Sequence, residues 1–355
     1  MTASRLRQLA GQLLSVGFDG TAAPESLRAR IAASEVGGVM LFRPNIADPG
    51  QVASLVASLR GAAPPGAPLL VSIDQEGGVV QRVRAPATVW PPMLAVGEAG
   101  DVARTTAVGR ALGEELAALG VGWDFAPVLD VHTNPANPVI GNRAFGTIPE
   151  AVSAQALAFW RGLRGAGLVG CGKHFPGHGD TDLDSHLALP RIGHDRARLS
   201  AVELAPFRAL GAELPTIMTA HVVFEAIEPK LPATLCRDVI EGVLRRELGY
   251  EGVIVSDDLE MRAVRDHWGV ADAAVRAIDA GCDLLLVCEH EENVLAARDA
   301  LVARARKEAA FADRLRVAAA RVGKLRASIV PAVIDATRID AAESSALEAE
   351  IASHA

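Results

Sequence analysis

Residues 252–258, Gly-Val-Ile-Val-Ser-Asp-Asp, form an unbroken apolar run that ends in two carboxylates. A strand wetted on one face alternates polar and apolar residues, whereas a continuous run belongs to a strand covered on both faces. Similar runs recur through the 355 residues at 13–18, 38–42, 69–74, 122–127, 169–175, 216–221 and 283–288. Amphipathic helical stretches at 101–119, 151–166, 197–210, 238–248 and 270–280 fall between them, and Gly120, Gly167, Gly249 and Gly281 stand where helices should end. Alternation of this kind predicts a parallel α/β sheet. A doubly wound open sheet would also fit, but the count of eight units and the lack of a GxGxxG turn after the first run favour a single (β/α)8 TIM-type barrel. Residues 1–330 are expected to form that catalytic domain. Residues 331–355, rich in Ala, Glu and Ser, read as a tail with a loose helix near 341–351.

Composition narrows the function. Half the residues are hydrophobic but only 4% are aromatic, so the core must come from Val, Leu, Ile and Ala, as in barrels. A net charge of −8 and a pI near 5.6 argue against a nucleic-acid partner, because phosphate contacts need clustered Lys and Arg. Cys171, Cys236, Cys282 and Cys288 make no CxxC pair, which fits reduced thiols in a cytoplasmic protein. Arg5 and Arg7 precede a mildly apolar stretch, but Gln8, Gln12 and Ser15 interrupt it, so no signal peptide is expected. No apolar run approaches about 18 residues, so no membrane span is expected.

Polar residues cluster where the apolar runs end: Asp74, Asp124, Lys173, His174, His221 and Asp257. In a barrel those ends form the catalytic rim. The stretch 173–186, Lys-His-Phe-Pro-Gly-His-Gly-Asp-Thr-Asp-Leu-Asp-Ser-His, is too dense in His and Asp for core packing. Asp180, Asp182 and Asp184 imitate the start of a calcium loop, but Ser185 replaces its glycine and Arg191 its closing glutamate. With HExxH also absent, neither a metal nor a cofactor is expected. Acid/base chemistry fits better: Asp184 can orient the imidazole of His186 two residues on, with His178 as the competing candidate. Adjacent strand residues point apart, so one of Asp257 and Asp258 should face the pocket; Asp258 reads as the N-cap of the next helix, leaving Asp257 for the chemistry. Asp74, Arg82 and Arg143 could grip sugar hydroxyls or serve only as structural ion pairs.

These motifs, together with Ile-Asp-Gln-Glu-Gly-Gly at 73–78, Asn-Arg-Ala-Phe-Gly at 142–146 and Val-Ser-Asp-Asp at 255–258, resemble glycoside hydrolase family 3. The match runs from the second strand to about residue 290 and is closest to the single-domain β-N-acetylglucosaminidases of peptidoglycan recycling. The resemblance implies a nucleophile at Asp257, an acid/base at His186 in preference to His178, and an orienting partner at Asp184. It also implies that Asp74, Arg82, Arg143, Lys173 and His174 bind the terminal sugar. The implied partner is a small saccharide or muropeptide, N-acetylglucosaminyl-β-1,4-anhydromuramic acid with or without stem peptide, cleaved in the cytoplasm with retention. A β-glucosidase, a phosphorylase of the same family, a metal-dependent barrel hydrolase and a catalytically silent sugar-binding protein are the alternatives. Val79, where relatives usually carry Arg, and Asn142, where Asp is common, depart from the pattern. The sequence leaves the oligomeric state open.

Overall fold

The computed structural model describes residues 2–329 and 333–339, with residues 347, 349 and 351 beyond them. Eight parallel strands close a barrel: β1 (Leu14–Val16), β2 (Gly38–Leu41), β3 (Leu70–Ile73), β4 (Trp123–Asp124), β5 (Val169–Phe175), β6 (Thr216–Thr219), β7 (Val253–Asp258) and β8 (Leu284–Val287). Each predicted run contains one of them. Leu14 opposite Leu285 and Ser15 opposite Gly38 close the ring on both sides of β1. The side chains of β1, β2, β3 and β8 are all buried, as expected for strands between packed barrel interior and helices. Short β4 stops before Pro127, which has no N–H, yet the chain keeps bonding to β5 through Cys171 N–H to the Ala126 carbonyl at 2.8 Å.

The helices around the barrel follow their sequence signals. Asp48, Asp101 and Asp195 each accept amide protons of the following first turn. Gly120, Gly167, Gly249 and Gly281 all take positive φ, from 68° to 130°, where a side chain would be strained. The stretch expected as one helix at 197–210 is two, Arg196–Ala201 and Ala205–Leu210, because Pro206 removes an amide donor and its ring would collide with the turn before it. Residues expected at 238–248 form a wide helix, Asp238–Glu247, in which the Leu248 amide reaches the carbonyl five residues back. The one expected at 270–280 is the second part of Arg262–Ala280, broken at Gly269 with φ 69°.

The core is aliphatic, with large rings at a few joints, such as Phe175 edge-on to Phe207 at 5.1 Å. All four cysteines are free and buried. Among the described residues no helix is long and apolar enough to cross a membrane. In the tail, Asp335 N–H donates to the Ala118 carbonyl at 2.8 Å, and Ile339 and Ile351 are buried in the common core. The helix expected at 341–351 lies outside the described residues except for Leu347, Ala349 and Ile351, which are helical.

Candidate active site

At the C-terminal ends of the strands lies a cavity of about 720 Å³, lined by every residue to which the family resemblance assigns a role: Asp74, Arg82, Arg143, Lys173, His174, Asp184, His186 and Asp257. Asp74 follows β3, and Arg82 follows the small hairpin of Gln75–Gly77 with Val80–Gln81. Arg143 ends the turn Gly141–Arg143, Lys173 and His174 lie on β5, Asp184 and His186 on the loop after it, and Asp257 near the end of β7.

Two strands lose register just where they enter the site, β5 between Gly172 and Phe175 and β7 between Val255 and Asp258. Such irregularities re-aim side chains. They explain why neighbours share one wall: Lys173 with His174, and Asp257 with Asp258. The expectation that only one of the two aspartates faces the pocket is therefore corrected. So is the N-cap role of Asp258, which accepts from Glu260 N–H at 3.1 Å and Cys288 N–H at 3.3 Å, while Met261 occupies the N-cap position without a side-chain cap. Burial raises the Asp258 carboxyl well above its usual range, suiting it to stay protonated.

A chain of ion pairs forms the floor. Arg82 Nη2 meets Asp74 at 2.9 Å, Lys173 Nζ meets Asp74 at 2.8 Å and Glu76 at 2.5 Å, and Arg143 grips Glu76 with two nitrogens at 2.8 and 2.9 Å. Burial alone would neutralise these groups, but each is outweighed by its partners: Asp74 and Glu76 are held below the usual carboxylate range, and Lys173 and Arg143 above theirs. Glu76, quoted in the motif but assigned no part, is thus the hinge between Lys173 and Arg143. Asp124 sits behind this floor, off the cavity wall, and burial raises its carboxyl well above normal. Its expected place on the rim is not observed.

The loop after β5 separates its histidines by environment. His178 is buried, with Nδ1 at 2.8 Å from Thr181 Oγ1 and Nε2 at 3.0 Å from Ser185 Oγ. Burial, then the neighbouring His174, holds it down to about 4, so it is neutral and fully engaged. The side chain of His186 is 61% exposed, and its Nδ1 lies 2.7 Å from Asp184 Oδ1, leaving Nε2 without a hydrogen-bond partner among the described residues. Asp180 is taken by the Thr133 hydroxyl at 2.7 Å and by His194, so two of the three aspartates that mimic a calcium loop, Asp180 and Asp184, are engaged separately. Among the described residues, Glu260, Glu289 and His290 are close enough to hold a cation, but Glu260 already accepts the amides of Glu289 and His290 and the side chain of Asn293.

Asp257 is half-buried and lines the cavity. Burial would raise its carboxyl, yet the charge interactions with His221, His174 and His186 outweigh it and its pKa stays below the usual value. His221 stands behind the wall rather than on it, its nitrogens 2.8 Å from the Thr234 hydroxyl and 2.9 Å from the Asp258 carbonyl. Asp130, absent from the sequence reading, bonds His174 Nδ1 at 2.6 Å. Val79 lines the cavity and is 65% exposed, whereas Asn142 is exposed and is not part of the cavity wall.

Residues 5–325 match the family model described as the glycosyl hydrolase family 3 N-terminal domain. A β-hexosaminidase of Alkalilimnicola ehrlichii is 44% identical over 288 residues, spanning 79% of this chain and 82% of its own. The structure of a glycoside hydrolase family 3 β-N-acetylglucosaminidase from Paenibacillus sp. superposes with a TM-score of 0.92 at 44% identity, over 98% of this chain and 68% of that one. NagZ from Neisseria gonorrhoeae, solved in complex with N-trifluoroacetyl-D-glucosamine, gives a TM-score of 0.78 at 32% identity, over 97% and 98% of the two chains. A strand-end carboxylate under a histidine-bearing loop, on a barrel matched from end to end, carries the same conclusion as the sequence: this chain belongs to glycosyl hydrolase family 3 and is a β-hexosaminidase.

Proposed function

We propose that the protein is a retaining exo-β-N-acetylglucosaminidase that removes terminal β-linked N-acetylglucosamine from peptidoglycan fragments in the cytoplasm. The observation that carries this reading is the pairing across one cavity of Asp257, kept ionised, with His186, exposed and held at Nδ1 by Asp184. In the first step the Asp257 carboxylate attacks the anomeric carbon while His186 Nε2–H gives its proton to the departing oxygen. In the second, His186 removes a proton from water, the water oxygen attacks the same carbon, and Asp257 leaves as carboxylate. Two inversions give net retention.

Asp74, Arg82, Arg143, Lys173 and His174 hold the terminal sugar in this reading, with residues 1–330 as the catalytic domain and 331–355 as an appended tail. The glucosamine derivative bound by the gonococcal relative supports the acetamido sugar over glucose. Arg82, Arg143 and Lys173 are already paired with Asp74 and Glu76, so none is spare for a phosphate acceptor. That favours hydrolysis. The test compares 4-nitrophenyl β-N-acetylglucosaminide with the β-glucoside, with and without phosphate, and then the anhydromuramyl disaccharide with and without stem peptide. Preference for the acetamido sugar and free N-acetylglucosamine as product is expected. A sugar-1-phosphate product, or cleavage of the glucoside alone, would overturn it.

A further inference from the structure

Asp130 is wholly buried behind the sugar-facing wall, and no step above uses it. Its two oxygens collect three donors: the His174 amide, 3.2 Å from each oxygen, His174 Nδ1 at 2.6 Å, and the His178 amide at 2.6 Å. We infer that Asp130 is a positioning residue that fixes which nitrogen of His174 meets the substrate and ties that histidine to the base of the acid/base loop. This rests on the reading in which His174 holds the terminal sugar.

A buried carboxylate has no proton to give, so Nδ1 of His174 must carry one. In the neutral ring Nε2 is then a bare acceptor, 3.5 Å from Arg143 Nη2. Arginine only donates, so the opposite tautomer would set two donors against each other. The same carboxylate holds the His178 amide, and His178 Nε2 reaches Ser185 Oγ, the residue between Asp184 and His186. One buried group therefore sets both the sugar-binding histidine and the root of the loop that carries the proton donor.

Asp130→Asn changes no shape but offers one acceptor oxygen to three donors and adds donors of its own. It also permits the Nε2–H tautomer, since its amide can donate to Nδ1. The expected result is a KM for 4-nitrophenyl β-N-acetylglucosaminide raised about 10- to 100-fold, with the loss equal for good and poor leaving groups. Nitrogen NMR of histidine-labelled wild-type protein, with the His174 signal identified by its absence in His174→Gln, should show Nδ1 protonated. A wild-type His174 that is neutral with its proton on Nε2 would overturn the inference, as would an Asp130→Asn enzyme with unchanged KM and unchanged His174 signal. The wild-type spectrum decides even where the variant does not fold. Wild-type protein that leaves the glycoside uncut would instead sink the functional reading, not the tautomer.

Discussion

In the proposed double displacement Asp257 has to be ionised when it attacks and again when it leaves, while His186 has to change charge twice. Their surroundings match those demands, one held below its ordinary pKa by nearby histidines and the other exposed on a carboxylate tether. Asp257→Ala should lower turnover of an aryl β-N-acetylglucosaminide by about 10⁴-fold or more, measured against wild type by initial rates. His186→Ala should lose about 10²- to 10⁴-fold on a sugar leaving group but far less in the glycosylation step with a dinitrophenolate, which needs no proton. Equal losses on both would remove the acid role. Because Asp257 is held below the usual 3.8, protonating it should shut off kcat/KM only below about pH 4, checked by rates across the acid limb. Asp257, Asp184 and His186 stood out as candidates because motif and chemistry coincide within a few residues, with the family resemblance preferring His186 to His178. Asp130 was not: it lies 44 positions from His174, and only folding shows that its carboxylate faces that ring. Glu76 was visible in its motif, but its role depends on Lys173 and Arg143, far away in the chain.

Strands and loops carry these side chains, and the strand ends are where pattern reading ran short. The apolar runs located all eight strands, since burial on both faces leaves a clear mark. The register breaks in β5 and β7 leave none, because they arise from pairing with neighbours distant in sequence. The glycines closing helices were legible through their backbone requirement, whereas Pro206 splitting its helix was a local signal passed over. The loop bearing His186 is pinned at Gly179, where an added Cβ would lie 1.8 Å from the Val131 carbonyl oxygen. Gly179→Ala must therefore move backbone, and it should reduce kcat by at least about tenfold through displacement of Asp184 and His186. The check is kcat beside a thermal melt. A variant with unchanged kcat would show that the loop's position does not matter to the reaction.

Across the whole molecule, buried charge and the tail govern stability. Asp74, Glu76, Asp130 and Asp257 all have depressed folded pKa values. Their contribution is complete above the ordinary carboxylate range near pH 4 and is lost as pH falls through the folded values. Asp124 and Asp258, raised by burial, act in the opposite sense and cost stability as pH rises above that range. Tm should consequently drop steeply below about pH 4, as differential scanning calorimetry from pH 7 to 3 would show. Deleting residues 331–355 removes two buried isoleucines, Ile339 and Ile351, and should cost about 2–5 kcal/mol, read from urea denaturation. An unchanged midpoint would mean the tail is a loose appendage, as its composition alone suggests.

The central claim is a covalent sugar on Asp257. His186→Ala, fed an activated aryl β-N-acetylglucosaminide, forms that ester without needing an acid but lacks the base to hydrolyse it. Quenching the steady-state reaction in acid and mapping peptides by mass spectrometry should find one N-acetylhexosamine residue on the peptide containing Asp257. The sugar found on another residue, or no adduct while burst kinetics demand one, would contradict the account.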